Sequence, residues 1–137
     1  MRIAAAKYSV GAPASFDAFA ARQQRLLEDA AARGAEIALL PEYLSLELGA
    51  TFEPEVAGDL ATSLAAIQRH RDDWLGLYSG IARRTGMLVV AGTFLLDTGG
   101  GRYRNRCDLF TPAGGHAWQD KLQLTGFEKQ AGMIDGG

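Results

Sequence analysis

One short stretch of the chain, Ile37–Tyr43, places a carboxylate where open α/β sheets form their ligand crevices. Four apolar residues are typical of a buried strand, Pro41 stops that strand, and Glu42 follows at once. Such crevices lie at the carboxyl ends of the strands. A second polar stretch, much later in the chain, carries Lys121. A carboxylate and an ammonium group that meet in a crevice can transfer protons and stabilise charge, so the chemistry depends on whether these two residues meet.

Few other side chains could act as a nucleophile or bind a metal. Cys107 is the only cysteine, and it lies within a predicted strand next to Arg106. A neighbouring arginine can lower the pKa of a thiol, but alternate strand residues face opposite ways. We therefore interpret Cys107 as a small buried structural residue. His70 and His116 are far apart without neighbouring ligands, which gives no zinc spacing, and we interpret both as surface residues.

Length and charge restrict the class of protein. The 137 residues suit one domain, and 14 basic and 16 acidic residues give a net charge of −2. This balance argues against nonspecific electrostatic binding of nucleic acid, which needs a basic face. Three arginines (Arg102, Arg104, Arg106) form a small basic group, which we interpret as a solvated strand edge or loop. The single cysteine allows no internal disulfide and favours a cytoplasmic location.

The first forty residues predict a β–α–β unit. The apolar run Ile3–Ser9 predicts a buried strand, too short and too polar for a signal peptide or a membrane span. Ser15 is a good helix N-cap, and apolar residues then recur at helical spacing until Gly34 ends the helix. The second strand is Ile37–Leu40. Such a unit implies a parallel pair with a right-handed crossover.

The middle of the chain predicts a long excursion and a helix. Residues 44–58 have no clear period and predict an irregular loop, the kind of segment that often carries function. Asp59 can cap a helix that continues to about Thr85, with a possible break at residues 70–73. Trp74 and Tyr78 lie at i and i+4 on this helix, where core or dimer contact is the expected role.

The last part of the chain predicts antiparallel hairpins. Residues 87–96 predict a strand interrupted near Gly92, and residues 104–110 and 116–121 predict two more, with turns of the kind that join hairpins. Residues 129–137 show no period.

Several short motifs together resemble the N-terminal part of the nitrilase superfamily, the carbon–nitrogen hydrolases. They run in the family's order and cover nearly the whole chain, and the last of them, Lys-Leu-x-Leu-Thr-x-Phe-Glu, is the most specific. The matching stretches are the first strand, the Ala-Arg-Gly-Ala-Glu helix end, Leu-Leu-Pro-Glu-Tyr, Val90–Thr93, Tyr103–Arg106, Phe110–Gly114 and Asp120–Glu128.

The resemblance implies a fold and a site. The family has an α-β-β-α sandwich, usually paired into dimers, so we expect an α/β fold that forms the N-terminal part of such a sandwich. The family uses a Glu–Lys–Cys triad without a metal or an organic cofactor. By position, Glu42 resembles the catalytic glutamate, Lys121 the catalytic lysine, and Glu128 a supporting glutamate. The family's cysteine lies downstream of the lysine segment, so residues 1–137 are expected to be a hydrolase domain that is incomplete at its C-terminus.

The implied reaction is hydrolysis of a small amide, with a nitrile as the alternative substrate, through a thioester acyl-enzyme. Glu42 would take the thiol proton and return it to the leaving amine, which requires a pKa raised by burial. Lys121 would stabilise the oxyanion of the tetrahedral intermediate. The expected partners are the small substrate and a second copy of the chain, with neither nucleic acid nor membrane.

Plainer interpretations stay open. Glu42 could cap a turn, Lys121 could be a solvated strand-end lysine, and Glu128 could be a surface partner of a nearby base. The chain could also be a truncated, non-catalytic half that binds a partner or dimerises through unpaired sheet edges. A nucleotide-binding β–α–β module is disfavoured, because the first turn lacks the G-x-G-x-x-G pattern.

Overall fold

The strands of the chain join in a single sheet. A computed structural model describes residues 1–137 and orders the sheet β1-β2-β3-β4-β5, with β6 paired to β4. Strands β1, β2 and β3 are parallel to one another. Strand β4 is antiparallel to both of its neighbours, β3 and β5, as predicted. The bounds are β1 (Ile3–Ala5), β2 (Ile37–Leu39), β3 (Leu88–Gly99), β4 (Arg102–Phe110), β5 (His116–Asp120) and β6 (Ile134–Asp135).

Helical segments connect β1 to β2, β2 to β3 and β5 to β6, and they supply most of the core. The longest two, α1 and α4, pack against each other, and α4 also packs on the sheet. None of the helices is long and apolar enough to cross a membrane. The bounds are α1 (Phe16–Ala32), a first 3-10 helix (Leu44–Thr51), α2 (Pro54–Ala57), α3 (Leu60–Ile67), a second 3-10 helix (Gln68–His70), α4 (Arg71–Thr85) and α5 (Gly126–Ala131).

The predicted β–α–β opening is confirmed, with one change in length. The Ser15 hydroxyl accepts a hydrogen bond from the Ala18 N–H at 3.1 Å and so caps α1. Strand β1 ends at Ala5 rather than Ser9. Its partner β2 offers only three residues, so the chain beyond Ala6 has no ladder to join.

The excursion predicted to be irregular is in fact helical. The first 3-10 helix and α2 fill most of residues 44–58, and the 3-10 helix buries Leu44 and Leu48 in the core. A 3-10 helix has three residues per turn, so its apolar positions do not follow the α-helical period that the prediction relied on.

The predicted break in the following helix is confirmed. The Asp59 carboxylate caps α3 by accepting from the Thr62 N–H at 2.9 Å, and the second 3-10 helix separates α3 from α4. The prediction for His70 is wrong, because its ring stacks between Phe16 and Phe52 with centroid distances of 5.3 and 5.2 Å. The second 3-10 helix turns this imidazole inward, onto two aromatic rings.

Aromatic side chains tie the helices to the sheet. Trp74 and Tyr78 are fully buried, which confirms their core role. Trp74 stacks on Phe19 of α1 and meets Phe94 of β3 edge-on, with centroids 5.7 and 5.3 Å away. The core therefore lies between α1, α4 and one face of β3.

The interruption predicted near Gly92 is confirmed as a bulge in β3. The register between β3 and β4 shifts between Val90 and Thr93, and Gly92 has φ +70°. The strand itself continues to Gly99, further than predicted. The tail also holds more structure than predicted, since α5 and β6 are too short to show a period.

Each of the three arginines of β4 has an acceptor from a neighbouring segment. Arg106 donates to both oxygens of Asp120, at 2.8 and 3.1 Å, and lies over the Trp118 ring. Arg102 pairs with Asp135, and Arg104 donates to the Gly136 carbonyl. The interpretation as a solvated edge is therefore wrong for Arg104 and Arg106, which are half-buried against acceptors on the neighbouring segments, but it holds for Arg102, whose side chain is 46 % exposed despite its pair with Asp135.

Candidate active site

Glu42 follows β2 in a sharply constrained turn. A side chain at Gly92 would approach the Pro41 carbonyl oxygen to 2.3 Å, so only glycine lets the bulge of β3 come this close. Tyr43 has φ +63°, which makes it the single non-glycine residue in the left-handed region. Its N–H donates to the Thr93 hydroxyl at 2.7 Å. The turn is thus fixed from the β3 side and directs the chain out of the sheet directly after Glu42.

Lys121 follows β5 and reaches the same place. Its N–H donates to the Asn105 carbonyl at 2.9 Å, which anchors the strand end. Its Nζ lies 2.6 Å from Glu42 Oε1 and 3.1 Å from Glu128 Oε1. The structure therefore brings together all three side chains that the sequence singled out.

Glu128 belongs both to the capping box of α5 and to the cluster that it forms with Glu42 and Lys121. It is the third residue of α5 and forms a capping box with Thr125, whose N–H and hydroxyl donate to Oε1 at 2.8 and 3.0 Å. The residue is fully buried. Burial alone would raise its pKa, but the hydrogen bonds from Thr125 and Lys121, with the nearby Tyr43 hydroxyl, dominate and lower the pKa to about 2.

Asn105 joins the two carboxylates, a role that was not predicted from the sequence. Its Nδ2 donates to Glu42 Oε1 at 2.8 Å and to Glu128 Oε2 at 3.3 Å. The residue is buried in β4, between two half-buried arginines. A neutral amide at an inward position of a strand is the signal that could have found it, because buried polar groups need partners.

Lys121 is held as a cation. The hydrogen bond to Glu42 raises the pKa of Lys121, and Glu128 adds to the effect against the opposing contribution of desolvation. The Tyr43 ring lies beneath the ammonium, with its centroid 5.8 Å from Nζ. Burial first and then the Glu128 carboxylate raise the pKa of Tyr43 to about 12, so its hydroxyl stays neutral.

Glu42 differs from Glu128 in its exposure. Its side chain is 43 % exposed, against 0 % for Glu128, and both of its hydrogen bonds fall on Oε1. The burial expected for a catalytic glutamate is therefore not supplied by residues 1–137. One carboxylate oxygen has no protein hydrogen bond, which leaves it able to accept a proton.

A cleft of about 480 Å³ opens beside Glu42. Its walls are mostly apolar and come from the β1–α1 loop, the turn after β2 and the first 3-10 helix. Two carboxylates, Glu42 and Glu47, and the hydroxyl-bearing Tyr8 and Tyr43 supply its polar groups. This volume and lining are typical of a small-molecule site.

Cys107 lies outside the cluster. It makes no hydrogen bond with Glu42 or Lys121, and burial followed by the Asp108 carboxylate raises the pKa of its thiol. The adjacent Arg106 is paired with Asp120, so it does not activate the thiol. These contacts agree with the structural interpretation of Cys107. No group of three or more His, Cys, Asp or Glu side chains is arranged to hold a metal ion.

Comparison with solved structures defines the class of the fold. A carbon–nitrogen hydrolase from Helicobacter pylori G27 matches with a TM-score of 0.74 and 12 % identity over 100 % of this chain and 44 % of its own. An amidase from Nesterenkonia sp. AN1 matches with a TM-score of 0.66 and 22 % identity, over 100 % and 49 %. A branch 10 nitrilase-superfamily member from Saccharomyces cerevisiae matches with a TM-score of 0.68 and 16 % identity, over 98 % and 48 %.

The chain thus has the mixed α/β fold of the N-terminal part of nitrilase-superfamily carbon–nitrogen hydrolases. It spans about half the length of the solved structures that it matches. No protein-family model matches the chain, and no curated protein matches its sequence.

Proposed function

We propose that the protein containing this chain is a carbon–nitrogen hydrolase acting on a small amide, with a nitrile as the alternative substrate class. The observation that carries this proposal is the 2.6 Å contact between Lys121 Nζ and Glu42 Oε1 beside the cleft. In a fold shared with solved amidases, a carboxylate and a lysine in contact are the proton-transfer and charge-stabilising parts of an acyl-transfer site.

The proposed reaction needs a thiol, which we assign to a cysteine outside residues 1–137. Structures of the Nesterenkonia amidase show covalent addition at an active site cysteine. Here Glu42 takes the thiol proton as sulfur attacks the amide carbon, and it passes that proton to the departing ammonia. Glu42 then takes a proton from the water that attacks the thioester, and it returns this proton to the departing sulfur, which releases the acid product and restores the thiol.

Lys121 and the residues around it have different parts in this scheme. The Lys121 ammonium stabilises the oxyanion in both tetrahedral intermediates. Glu128 and Asn105 are positioning residues: Glu128 holds the ammonium from below at 3.1 Å, and Asn105 fixes Glu42 Oε1 at 2.8 Å. This arrangement leaves the second oxygen of Glu42 for the proton.

We further propose that residues 1–137 are one part of the catalytic domain, inactive alone, and that the complete protein is a cytoplasmic homodimer. Supporting this, three large apolar side chains remain exposed around β5 and α5, close to the cluster: Trp118, Leu122 and Phe127. Exposed apolar groups of this size commonly mark surfaces that another protein segment covers.

The test of the roles is ammonia release by the full-length protein. Glu42→Gln keeps the shape of the side chain but cannot accept the proton, so we expect at least a ~100-fold loss of kcat. Lys121→Ala should cost a similar ~100-fold, because it removes the oxyanion partner. Glu53→Gln is the matched control, since Glu53 is an exposed acid outside the cleft. Wild-type turnover in either site variant would refute the assigned roles.

The alternative that the chain is a non-catalytic half has its own test. The exposed strand β5, with four of its five residues exposed, favours an associating module. The intact mass of the natural protein and the reading frame after Gly137 separate the two functions. If the reading frame stops after Gly137, Cys107 is the only cysteine of the protein, and the proposed hydrolase activity is refuted.

A further inference from the structure

A second buried carboxylate lies in the wall of the cleft that contains Glu42. Glu47, in the first 3-10 helix, has a side chain only 3 % exposed. Its Oε2 has no hydrogen-bond partner. A buried carboxylate oxygen without a donor is costly, and such atoms are rare in folded proteins. The oxygen is therefore a candidate contact for a group that the cleft receives.

The other oxygen of Glu47 is the end of a directed chain of hydrogen bonds. The Tyr78 hydroxyl donates to Gln23 Oε1 at 3.0 Å, Gln23 Nε2 donates to the Tyr8 oxygen at 2.8 Å, and the Tyr8 hydroxyl donates to Glu47 Oε1 at 3.0 Å. Burial first and then Glu47 raise the pKa of Tyr8 to about 12, so the phenol stays a donor. Every proton in the chain points toward Glu47, which fixes Oε1 as an acceptor and leaves Oε2 bare.

The one cation near Glu47 does not neutralise it closely. Arg22 Nη1 is 3.5 Å from Glu47 Oε1, while Arg22 gives its shorter bonds to the Ser9 carbonyl at 2.6 Å and to the Tyr8 oxygen at 3.0 Å. Glu42, by contrast, has an ammonium at 2.6 Å. The cleft wall thus contains one carboxylate, Glu42, that is closely paired with an ammonium, and another, Glu47, that has spare acceptor capacity.

We propose that Glu47 binds a cationic amino group of the substrate, so that the cleft takes amides with an ammonium group at the end opposite the scissile bond. The proposal rests on the proposed function for the position of that bond. A substrate ammonium would donate to Oε2 and replace the missing partner with a charge-assisted hydrogen bond. The cleft of about 480 Å³ accommodates a molecule with a short carbon chain between the two groups.

The experiment compares three amides of nearly equal length on the full-length protein: 4-aminobutanamide, pentanamide and glutaramate, which end in ammonium, methyl and carboxylate. Calorimetry at pH 7 measures their dissociation constants. We expect 4-aminobutanamide to bind at least ~10-fold more tightly than pentanamide, and glutaramate to bind most weakly. Equal constants for the first two, or no detectable binding of 4-aminobutanamide, would overturn the proposal without any variant.

Two variants locate the effect. Glu47→Gln keeps the acceptor for Tyr8 but removes the charge, so the preference for ammonium should fall to ~1-fold. Glu53→Gln removes one exposed negative charge outside the cleft and should keep the full preference. A preference that survives Glu47→Gln in a protein with unchanged thermal unfolding would assign it to another residue and overturn the proposal.

Ammonia release, measured on the same samples, separates this proposal from the proposed function. Binding preference without release from any amide would leave the role of Glu47 standing and refute the hydrolase. Ammonia release without a preference for the ammonium-bearing amide would support the hydrolase and refute the role of Glu47.

Discussion

The two carboxylate clusters of this molecule are satisfied in opposite ways. Around Glu128, donors come from Thr125, Lys121 and Asn105, and both carboxylate oxygens are used. Around Glu47, one hydroxyl and a guanidinium at 3.5 Å serve a single oxygen. Both glutamates are buried, yet only one of them has its full set of partners.

This difference separates structural charge from charge that is available to a ligand. A buried carboxylate with every lone pair occupied rigidifies its surroundings, and a ligand gains little by approaching it. A buried carboxylate with an unpaired oxygen gains binding free energy from any donor that replaces the hydrogen bond lost from water. Glu42 lies between these extremes, because one of its oxygens is bound by Lys121 and Asn105 and its side chain is partly exposed.

The largest expected effect comes from breaking the turn that places Glu42. Gly92→Ala forces a Cβ to within 2.3 Å of the Pro41 oxygen at φ +70°, so we expect a loss of about 4 kcal/mol in the free energy of unfolding. Gly100→Ala is the control, since its φ is +62° with nothing within 4 Å. It should lose only about 1 kcal/mol. Equal losses of unfolding free energy in the two variants, measured by urea titration, would show that the close approach of Gly92 to the Pro41 oxygen is unimportant.

Removing Asn105 should destabilise the protein through the loss of contacts to Glu42 and Glu128. Asn105→Ala deletes the amide that donates to both carboxylates, at 2.8 and 3.3 Å, and we expect a loss of about 3 kcal/mol in unfolding free energy. Gln123→Ala, at an exposed neighbour of the cluster, should change stability by less than about 0.5 kcal/mol. A loss no greater than that of the control would mean that the carboxylates do not depend on the amide.

Acid should weaken the Glu128 contacts in a defined range of pH. The folded-state pKa of Glu128 is lowered to about 2 from 4.5, so its contribution to stability is complete above the unfolded value and is lost as pH falls through the folded one. We expect wild type to lose on the order of 2 kcal/mol more than Glu128→Gln between pH 5 and 2. Parallel stability curves for the two proteins would contradict the lowered pKa.

The smallest effect is expected at the Glu47 cluster. Tyr8→Phe removes the donor to Glu47 and the acceptor of Gln23 Nε2, and we expect a loss of about 1 kcal/mol by thermal unfolding. Tyr103→Phe is a matched change in β4, where the phenol makes no hydrogen bond, and it should be nearly neutral. A loss at Tyr8 larger than that at Asn105 would reverse the ranking of the two clusters.

The sequence predicted what depends on local pattern and missed what depends on contact. Proline after an apolar strand identified Glu42, and the motif order placed Lys121 and Glu128 with it. Asn105 was missed because its role arises from two carboxylates that lie 63 and 23 positions away in the chain. The first 3-10 helix was predicted as a loop because its period of three matches neither template, and Glu47 was hidden with it.

The hydrogen-bond chain that begins at Tyr78 makes a core residue part of the electrostatics of the cleft. Each donor in such a chain polarises the next, so the bond received by Glu47 is strengthened by groups that never approach a ligand. Tyr78 lies 55 positions from Gln23 and is fully buried among the helices. Changes in packing around α4 would therefore alter, from a distance, the hydrogen bond that Glu47 receives in the cleft wall.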